Sequence, residues 1–210
     1  MRELLAWIGK QSFAKYFYLA GDTALALQVG NRISVDLDLF SETNEVDART
    51  RQTLIHVFSS RRVQVVENVD VNLLLLVDGL HVGFFNYGYQ LLEPVEIVEN
   101  IHLASLLDIG LMKLDAVIGR GGRTDFTDLY VITRQIPLPD LLRAGEQKFP
   151  QVRDFPLMAL EGLLQFDNAD RDRQPEMLAD FPWENVSRFF VEQVMVLGAN
   201  WFNKCNCSGT

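Results

Sequence analysis

The chain has 210 residues, of which 48% are hydrophobic and 22% are charged, and its formal net charge is −9. This composition is typical of a globular protein with a substantial core, and the acidic balance excludes broad binding to a nucleic-acid duplex, which needs a positive surface. No apolar run approaches the roughly 20 residues that cross a bilayer, and the N-terminus has no secretory pattern, so we expect a cytoplasmic protein without a membrane partner.

The first predicted elements are a helix over residues 2–14, a short apolar strand that ends at Ala20, and a helix over 23–30. Gly21, Asp22 and Thr23 form the turn between the strand and the second helix. A strand, a glycine turn and a helix N-terminus in that order expose free backbone N–H groups and the positive end of a helix dipole, where a triphosphate can bind. The Thr23 hydroxyl either caps the helix or contacts a phosphate, and local grounds favour capping.

Two aspartates, Asp36 and Asp38, lie on a strand-like run over residues 34–40. Side chains of a strand alternate between its faces, so this spacing predicts that both carboxylates lie on the same side. Neighbouring like charges are unfavourable unless a cation neutralises them, and Mg²⁺ prefers one or two carboxylates together with water and substrate phosphate. The alternative is an exposed loop in which both acids are simply solvated.

The rest of the chain predicts an antiparallel meander followed by helices. Asp47 is well placed to begin a helix, and Asp78-Gly79 is a hairpin signal. The mixture of one small sheet with flanking helices predicts an α+β fold with a helical C-terminal part, divided into a core over 1–135 and an extension over 136–210. The predicted segments are a polar linker at 41–45, a helix at 47–59, the meander at 62–98, helices at 101–118, 125–135 and 139–148, an unassigned segment at 156–166, a loop at 167–173, and a helix at 183–200.

Lys113 is out of place in the predicted helix 101–118, which is apolar on nearly every face. If its stem packs along the apolar stripe and its ammonium reaches a cleft, Lys113 can pair with a nucleotide phosphate. The alternative is a lysine that snorkels from the rim of a core helix.

Asp125 and Asp128 follow a glycine-rich break at residues 119–123 and begin the next helix. Acids in a first helical turn are favoured by the dipole, so capping alone explains both. The glycine-rich break matches neither the Walker nor the dinucleotide spacing, and we interpret it as a helix end and hinge. The cysteines, Cys205 and Cys207, are given no role, and the scattered histidines, His56, His81 and His102, are predicted to be packing or surface residues.

Two separated blocks resemble the AbiEii toxin family of the polymerase β-like nucleotidyltransferases. The first block is the run Tyr18–Leu27 followed by Ser34–Ser41, and the second is Lys113, Arg120 and the run Asp125–Tyr130. The resemblance covers roughly residues 15–133. It implies a sheet of the nucleotidyltransferase type and an enzyme of a toxin–antitoxin or phage-defence pair, with an NTP as substrate, a possible RNA end as acceptor and a cognate antitoxin as partner.

The resemblance also implies roles for individual residues. Asp36 and Asp38 would hold Mg²⁺, the backbone of Gly21, Asp22 and Thr23 would cradle phosphates, and Lys113 would neutralise the triphosphate. It further implies a site role for Asp125, whereas Asp128 is predicted to be structural.

The chain departs from the family pattern at two points. Asp22 replaces the usual glycine or serine and adds a negative charge at the phosphate turn. The strand over residues 80–87, expected to carry a third carboxylate, has no acid. These departures leave open a nucleotide-binding or interaction module that kept the fold and lost full catalytic activity. A purely structural partner protein is a more remote alternative.

Overall fold

The computed structural model describes residues 1–43 and 45–207, with side chains up to residue 199. Residue 44, residues 208–210 and the side chains of Cys205 and Cys207 lie outside this description. The chain divides into two compact units, Met1–Ile109 and Gly110–Thr210, which we call the first unit and the second unit. The division falls inside a helix, whereas the sequence suggests a boundary at residue 135; that domain boundary stays a prediction.

The described part of the first unit contains a seven-stranded mixed sheet with the strand order β3-β4-β5-β2-β1-β7-β6. Strand β2 lies at its centre, where it pairs antiparallel with β1 and parallel with β5. This arrangement, together with the helices, confirms the predicted α+β fold. The strands are β1 (Tyr18–Ala20), β2 (Leu37–Ser41), β3 (Val63–Val69), β4 (Asn72–Val77), β5 (Leu80–Asn86), β6 (Glu96–Val98) and β7 (Ile101–Leu103).

The helices of the first unit are α1 (Arg2–Ile8), α2 (Gly21–Val29) and α3 (Ala48–Phe58), with a short 3-10 helix at Ala14–Tyr16. The Asp47 carboxylate accepts a 2.7 Å hydrogen bond from the Thr50 N–H at the start of α3, as the sequence predicts. Helix α1 is shorter than predicted. Its C-cap residue is Gly9, which lies against the carbonyl of Glu99 with no room for a side chain, so the chain turns there.

The core of the first unit explains the orientation of β2. Leu37 and Leu39 are fully buried, and Phe17 and Phe84 pack edge to face with their ring centroids 5.2 Å apart. Because side chains alternate along a strand, the burial of the two leucines turns the intervening Asp38 to the other face of the sheet.

The meander is formed by β3, β4 and β5, and its Asp78-Gly79 turn has φ angles of 52° and 91°, as hairpins of this type require.

The predicted helix 101–118 is wrong in its first residues, since Ile101–Leu103 forms β7 and pairs parallel with β1. An open sheet edge and the alternating burial of these residues outweigh local helix propensity. Helix α4 (Leu106–Gly119) follows, and at its start Ser105 and Asp108 exchange two hydrogen bonds of 2.9 and 3.0 Å.

The described residues of the second unit are helical. Phe126 and Phe190 pack with ring centroids 5.6 Å apart, and both side chains are fully buried. The predicted loop at 167–173 contains a short helix instead. The helices are α5 (Arg123–Ile132), α6 (Leu138–Lys148), α7 (Phe155–Gly162), α8 (Asp167–Arg171) and α9 (Trp183–Cys207). Within the described part of the chain, every helix is too short or too polar to span a membrane.

Candidate active site

The turn Gly21–Thr23, which we call the glycine turn, lies beside Asp38. Residue Ala20 pairs with Asp38 across β1 and β2, and Gly21 then takes a φ of 68° to begin α2. A Cβ on Gly21 would lie 3.1 Å from Oδ2 of Asp38. The absence of a side chain at residue 21 therefore allows the N-terminus of α2 to approach the carboxylate closely.

Strand β5 covers the other side of the same carboxylate. Gly83 pairs with Asp38 in the parallel register, and a Cβ on Gly83 would lie 3.2 Å from Oδ1 of Asp38. The Asp38 carboxylate thus sits between two glycines. The residue opposite Asp38 on this neighbouring strand is Gly83, and β5 contains no acid, as the sequence indicates.

Asp36 directly precedes β2 and is more exposed than Asp38. Its Oδ1 lies 3.3 Å from Nδ1 of His81, which is two residues before Gly83 on β5. Because residues i and i+2 of a strand face the same side, His81 and Gly83 place Asp36 and Asp38 on one face of the sheet. The sequence treats His81 as a packing or surface residue, and only the parallel register of β2 and β5 reveals its contact with Asp36.

Thr23 connects the glycine turn to the Asp36 backbone. Its side chain is buried, and its hydroxyl donates to the carbonyl of Asp36 and lies 2.8 Å from the hydroxyl of Ser34. The predicted capping role is wrong, since the N-cap of α2 is Ala20 and no side chain caps it. The Thr23 hydroxyl donates to a residue 13 positions away in the sequence instead of capping its own helix.

Asp22 has a cationic partner that sequence reasoning missed. Nη2 of Arg32 lies 2.5 Å from Oδ2 of Asp22, and the Arg32 side chain is only 8% exposed. Arg32 follows Gly30, whose φ of 61° ends α2 and turns the chain back toward β2. Nothing in the local sequence singles out Arg32, because the pair forms only when the chain after α2 returns along the helix.

In the second unit, Lys113 is buried in a group of charged residues that we call the Asp125 cluster: Lys113, Arg120, Asp125 and Asp128. Nζ of Lys113 lies 3.1 Å from Oδ1 of Asp125 and 2.9 Å from Oδ2 of Asp128. The Lys113 side chain is 4% exposed, so the alternative of a snorkelling lysine is wrong.

Arg120 completes the Asp125 cluster with two hydrogen bonds of 2.7 and 2.8 Å to the Asp125 carboxylate. Burial raises the pKa of Asp125, but the hydrogen bonds from Arg120 and the charge of Lys113 outweigh burial and hold that pKa below its usual range. The four formal charges of the cluster cancel. The structure therefore brings Lys113 and Asp125 together, and it joins Asp128 to them.

The donors that suit a hard divalent cation are the carboxylates of Asp36 and Asp38. The described residues include no group of three or more His, Cys, Asp or Glu side chains that could hold a metal ion. Two carboxylates beside the glycine turn nevertheless fit a cation such as Mg²⁺, which completes its shell with water and substrate oxygens.

Comparison with known proteins gives the family of the chain. The family described as the nucleotidyl transferase AbiEii toxin of type IV toxin–antitoxin systems matches residues 2–191. The chain belongs to this family. An AbiEii family member is a nucleotidyltransferase, so the resemblance drawn from the two sequence blocks is confirmed, and so is its assignment as an enzyme of a toxin–antitoxin system.

Proteins similar to this AbiEii family member include one sequence relative and two solved structures. An uncharacterized protein of Aquifex aeolicus is 32% identical over 198 residues, which cover 92% of this chain and 93% of that protein. The nucleotidyltransferase toxin MenT4 of Mycobacterium tuberculosis is 16% identical, with a TM-score of 0.62, and the match covers 92% of this chain and 81% of that chain. At that identity the likeness shows a shared fold. JHP933 of Helicobacter pylori is 17% identical with a TM-score of 0.48, over 95% of this chain and 96% of that chain.

Proposed function

We propose that this AbiEii protein transfers a nucleoside monophosphate from an NTP to a hydroxyl group, with Mg²⁺ bound by Asp36 and Asp38. One observation carries the proposal: the Asp38 carboxylate lies against Gly21, where a Cβ would be 3.1 Å from Oδ2. The carboxylate that would hold the cation therefore lies beside the helix N-terminus that would bind the phosphates.

The glycine turn supplies the phosphate-binding groups. The first N–H groups of α2 have no partners within the helix, and they point along the positive end of its dipole. We assign the backbone of Gly21, Asp22 and Thr23 to the β and γ phosphates. Thr23 acts indirectly, since its buried hydroxyl holds the backbone of Asp36.

The reaction is a displacement at the α phosphorus. The acceptor hydroxyl oxygen forms a bond to that phosphorus, the bond from the α phosphorus to the bridging β oxygen breaks, pyrophosphate leaves, and the hydroxyl proton passes to solvent. When bound, Mg²⁺ supplies charge stabilisation at the phosphate oxygens. Asp36 and Asp38 would hold this ion, and the backbone of the glycine turn would bind the leaving pyrophosphate.

Lys113 and Asp125 remain proposed site residues. The ammonium of Lys113 is held by two carboxylates, and Arg120 presents an exposed cation at the edge of the same cluster, with 71% of its side chain accessible. We propose that the cluster holds Lys113 and Asp125 in a single orientation within the second unit.

The membership of a type IV toxin–antitoxin family supports the proposed biological setting. We propose that a cognate antitoxin counteracts the protein in the cytoplasm and that the acceptor is the end of an RNA. A small antitoxin gene next to this one is the expected genetic context.

The test is transfer from each of the four NTPs, labelled at the α phosphate, to total RNA in the presence of Mg²⁺. Labelled RNA is expected with wild type and should disappear in Asp36→Asn and Asp38→Asn, which keep the side-chain shape and remove the charge. Glu146→Gln, at an exposed position on α6, is the matched control and should behave as wild type.

Two outcomes contradict the enzymatic proposal. Labelling that persists in both aspartate variants would remove these residues from the site. Absence of transfer with every NTP, together with measurable NTP binding, would favour the nucleotide-binding module that has lost full chemistry.

A further inference from the structure

We infer that Arg32 is a positioning residue that neutralises Asp22 and thereby makes the glycine turn acceptable to a triphosphate. The inference rests on the proposed function, because it concerns the same phosphate-binding turn. Arg32 lies between the two runs of the first sequence block and is part of neither. It acts through Asp22 rather than on the reacting atoms.

Arg32 offsets the negative charge of Asp22, which is unfavourable at a site that binds anions. Asp22 is in the first turn of α2, next to Gly21, and Gly21 in turn lies against Asp38. A carboxylate at this helix end is favourable for the helix itself, but it repels a triphosphate that seeks the same N–H groups. With Asp36 and Asp38 nearby, an uncompensated Asp22 would add a third negative charge around the turn.

The geometry of Arg32 suits a fixed counter-charge. Its Nη2 lies 2.5 Å from Oδ2 of Asp22, and its side chain is 8% exposed compared with 34% for Asp22. A guanidinium stays protonated at any relevant pH, and one that is shielded from water is screened only weakly by salt. Arg32 therefore cancels the charge of Asp22 permanently, while the partly exposed Asp22 remains at the surface of the turn.

The position of Arg32 in the chain links this counter-charge to the metal-binding acids. Arg32 lies on the short segment between Gly30, which ends α2, and Asp36, which precedes β2. The same segment contains Ser34, whose hydroxyl is 2.8 Å from that of Thr23. Contacts from Arg32 and Ser34 thus fasten this segment to the first turn of α2 on both sides of residue 33.

Three roles of Arg32 predict different results in a double-mutant cycle. If Arg32 neutralises Asp22, NTP affinity falls about tenfold or more in Arg32→Gln and returns to within about threefold of wild type in Asp22→Asn/Arg32→Gln. If Arg32 binds phosphate directly, the double variant stays as weak as Arg32→Gln. If the pair only supports the fold, the affinity of the folded protein does not change in any variant.

Asp22→Asn alone gives a second measurement that does not depend on the stability of Arg32→Gln. The backbone of residue 22, which contacts phosphate, is kept, and loss of the acid with Arg32 retained leaves a positive charge beside the turn, so NTP binding should become tighter. A fall in affinity in Asp22→Asn would mean that the carboxylate itself binds the metal or the nucleotide, and it would overturn the inference.

The experiment is calorimetric titration of wild type and the three variants with each NTP in Mg²⁺, with thermal unfolding of every variant in the same buffer. Arg51→Gln is the matched control, because Arg51 is another arginine of the first unit with a 9% exposed side chain and an aspartate partner, Asp70. It should lower stability without lowering NTP affinity. A tenfold loss of affinity in Arg51→Gln would show that removal of any buried arginine gives the effect, and it too would overturn the inference.

The wild-type titration distinguishes a failure of the proposed function from a failure of the role of Arg32. If wild type binds no NTP, the proposed function fails and the role of Arg32 fails with it. If wild type binds an NTP and Arg32→Gln binds it equally well, only the role of Arg32 is overturned.

Discussion

The carboxylate of Asp38 and the α-carbon of Gly21 are in close approach: a Cβ on Gly21 would lie 3.1 Å from Oδ2 of Asp38. The contact joins the N-terminus of α2 to the central strand β2. It requires both a left-handed backbone at residue 21 and the absence of a side chain, and glycine alone provides the two together at low cost.

Gly21→Ala should therefore abolish nucleotidyl transfer. The added methyl group presses on Asp38, and the φ of 68° is unfavourable for alanine by about 1–3 kcal/mol. Gly30→Ala is a close control, since Gly30 has a φ of 61° at the other end of α2 but open space around it. Both variants should lose similar stability in denaturant unfolding, and only Gly21→Ala should lose transfer activity. Equal activity in the two would contradict the role of the Gly21 contact.

Thr23→Val tests whether the buried hydroxyl holds Asp36. Valine keeps the shape but leaves the Asp36 carbonyl and the Ser34 hydroxyl without this partner, which costs about 1–3 kcal/mol. We expect lower Mg²⁺ affinity by calorimetry and slower transfer, with both restored in Thr23→Ser. If Thr23→Val retains wild-type Mg²⁺ affinity, the hydroxyl serves only stability.

Lys113→Met should destabilise the second unit strongly. Removal of the ammonium leaves Asp125 and Asp128 buried with one fewer cation, and breaking a buried ion pair in this way typically costs about 3–5 kcal/mol. Lys10→Met, at an exposed position, is the control and should change the free energy of unfolding by less than about 0.5 kcal/mol. A loss below about 1 kcal/mol for Lys113→Met would contradict a structural contribution from the Asp125 cluster.

Acid should unfold the protein through Asp125 among other carboxylates. The pKa of Asp125 in the folded protein lies below its ordinary value of 3.8, so its stabilising contribution is complete above that value and is lost as the pH falls through the folded pKa. Arg120→Gln removes the hydrogen bonds from the guanidinium that most strongly oppose the effect of burial on Asp125. The folded pKa of Asp125 should then rise, and the loss of stability should begin at a higher pH than in wild type.

The measurement is the free energy of unfolding of both proteins across the acid range. Arg143→Gln removes a comparably exposed arginine from the second unit and serves as the control. Identical acid profiles for Arg120→Gln and wild type would contradict the electrostatic account of Asp125.

Local sequence was a good guide wherever the cause of a structure was local. The i, i+2 spacing of Asp36 and Asp38, the turn at Asp78-Gly79 and the cap by Asp47 depend on neighbours within a few residues, and all three are visible in the sequence. Local propensity was a poor guide for Ile101–Leu103, which reads as a helix and forms β7 because β1 offers an unpaired edge.

The sequence by itself determined that an acidic pair and a glycine turn exist and that the chain belongs to a nucleotidyltransferase family. Only the tertiary structure decided what surrounds them: Arg32 beside Asp22, Gly83 opposite Asp38, His81 beside Asp36, and two carboxylates around Lys113. The physical reason is that strand register and the return path of the chain bring distant residues together, and desolvation then makes their charges depend on one another.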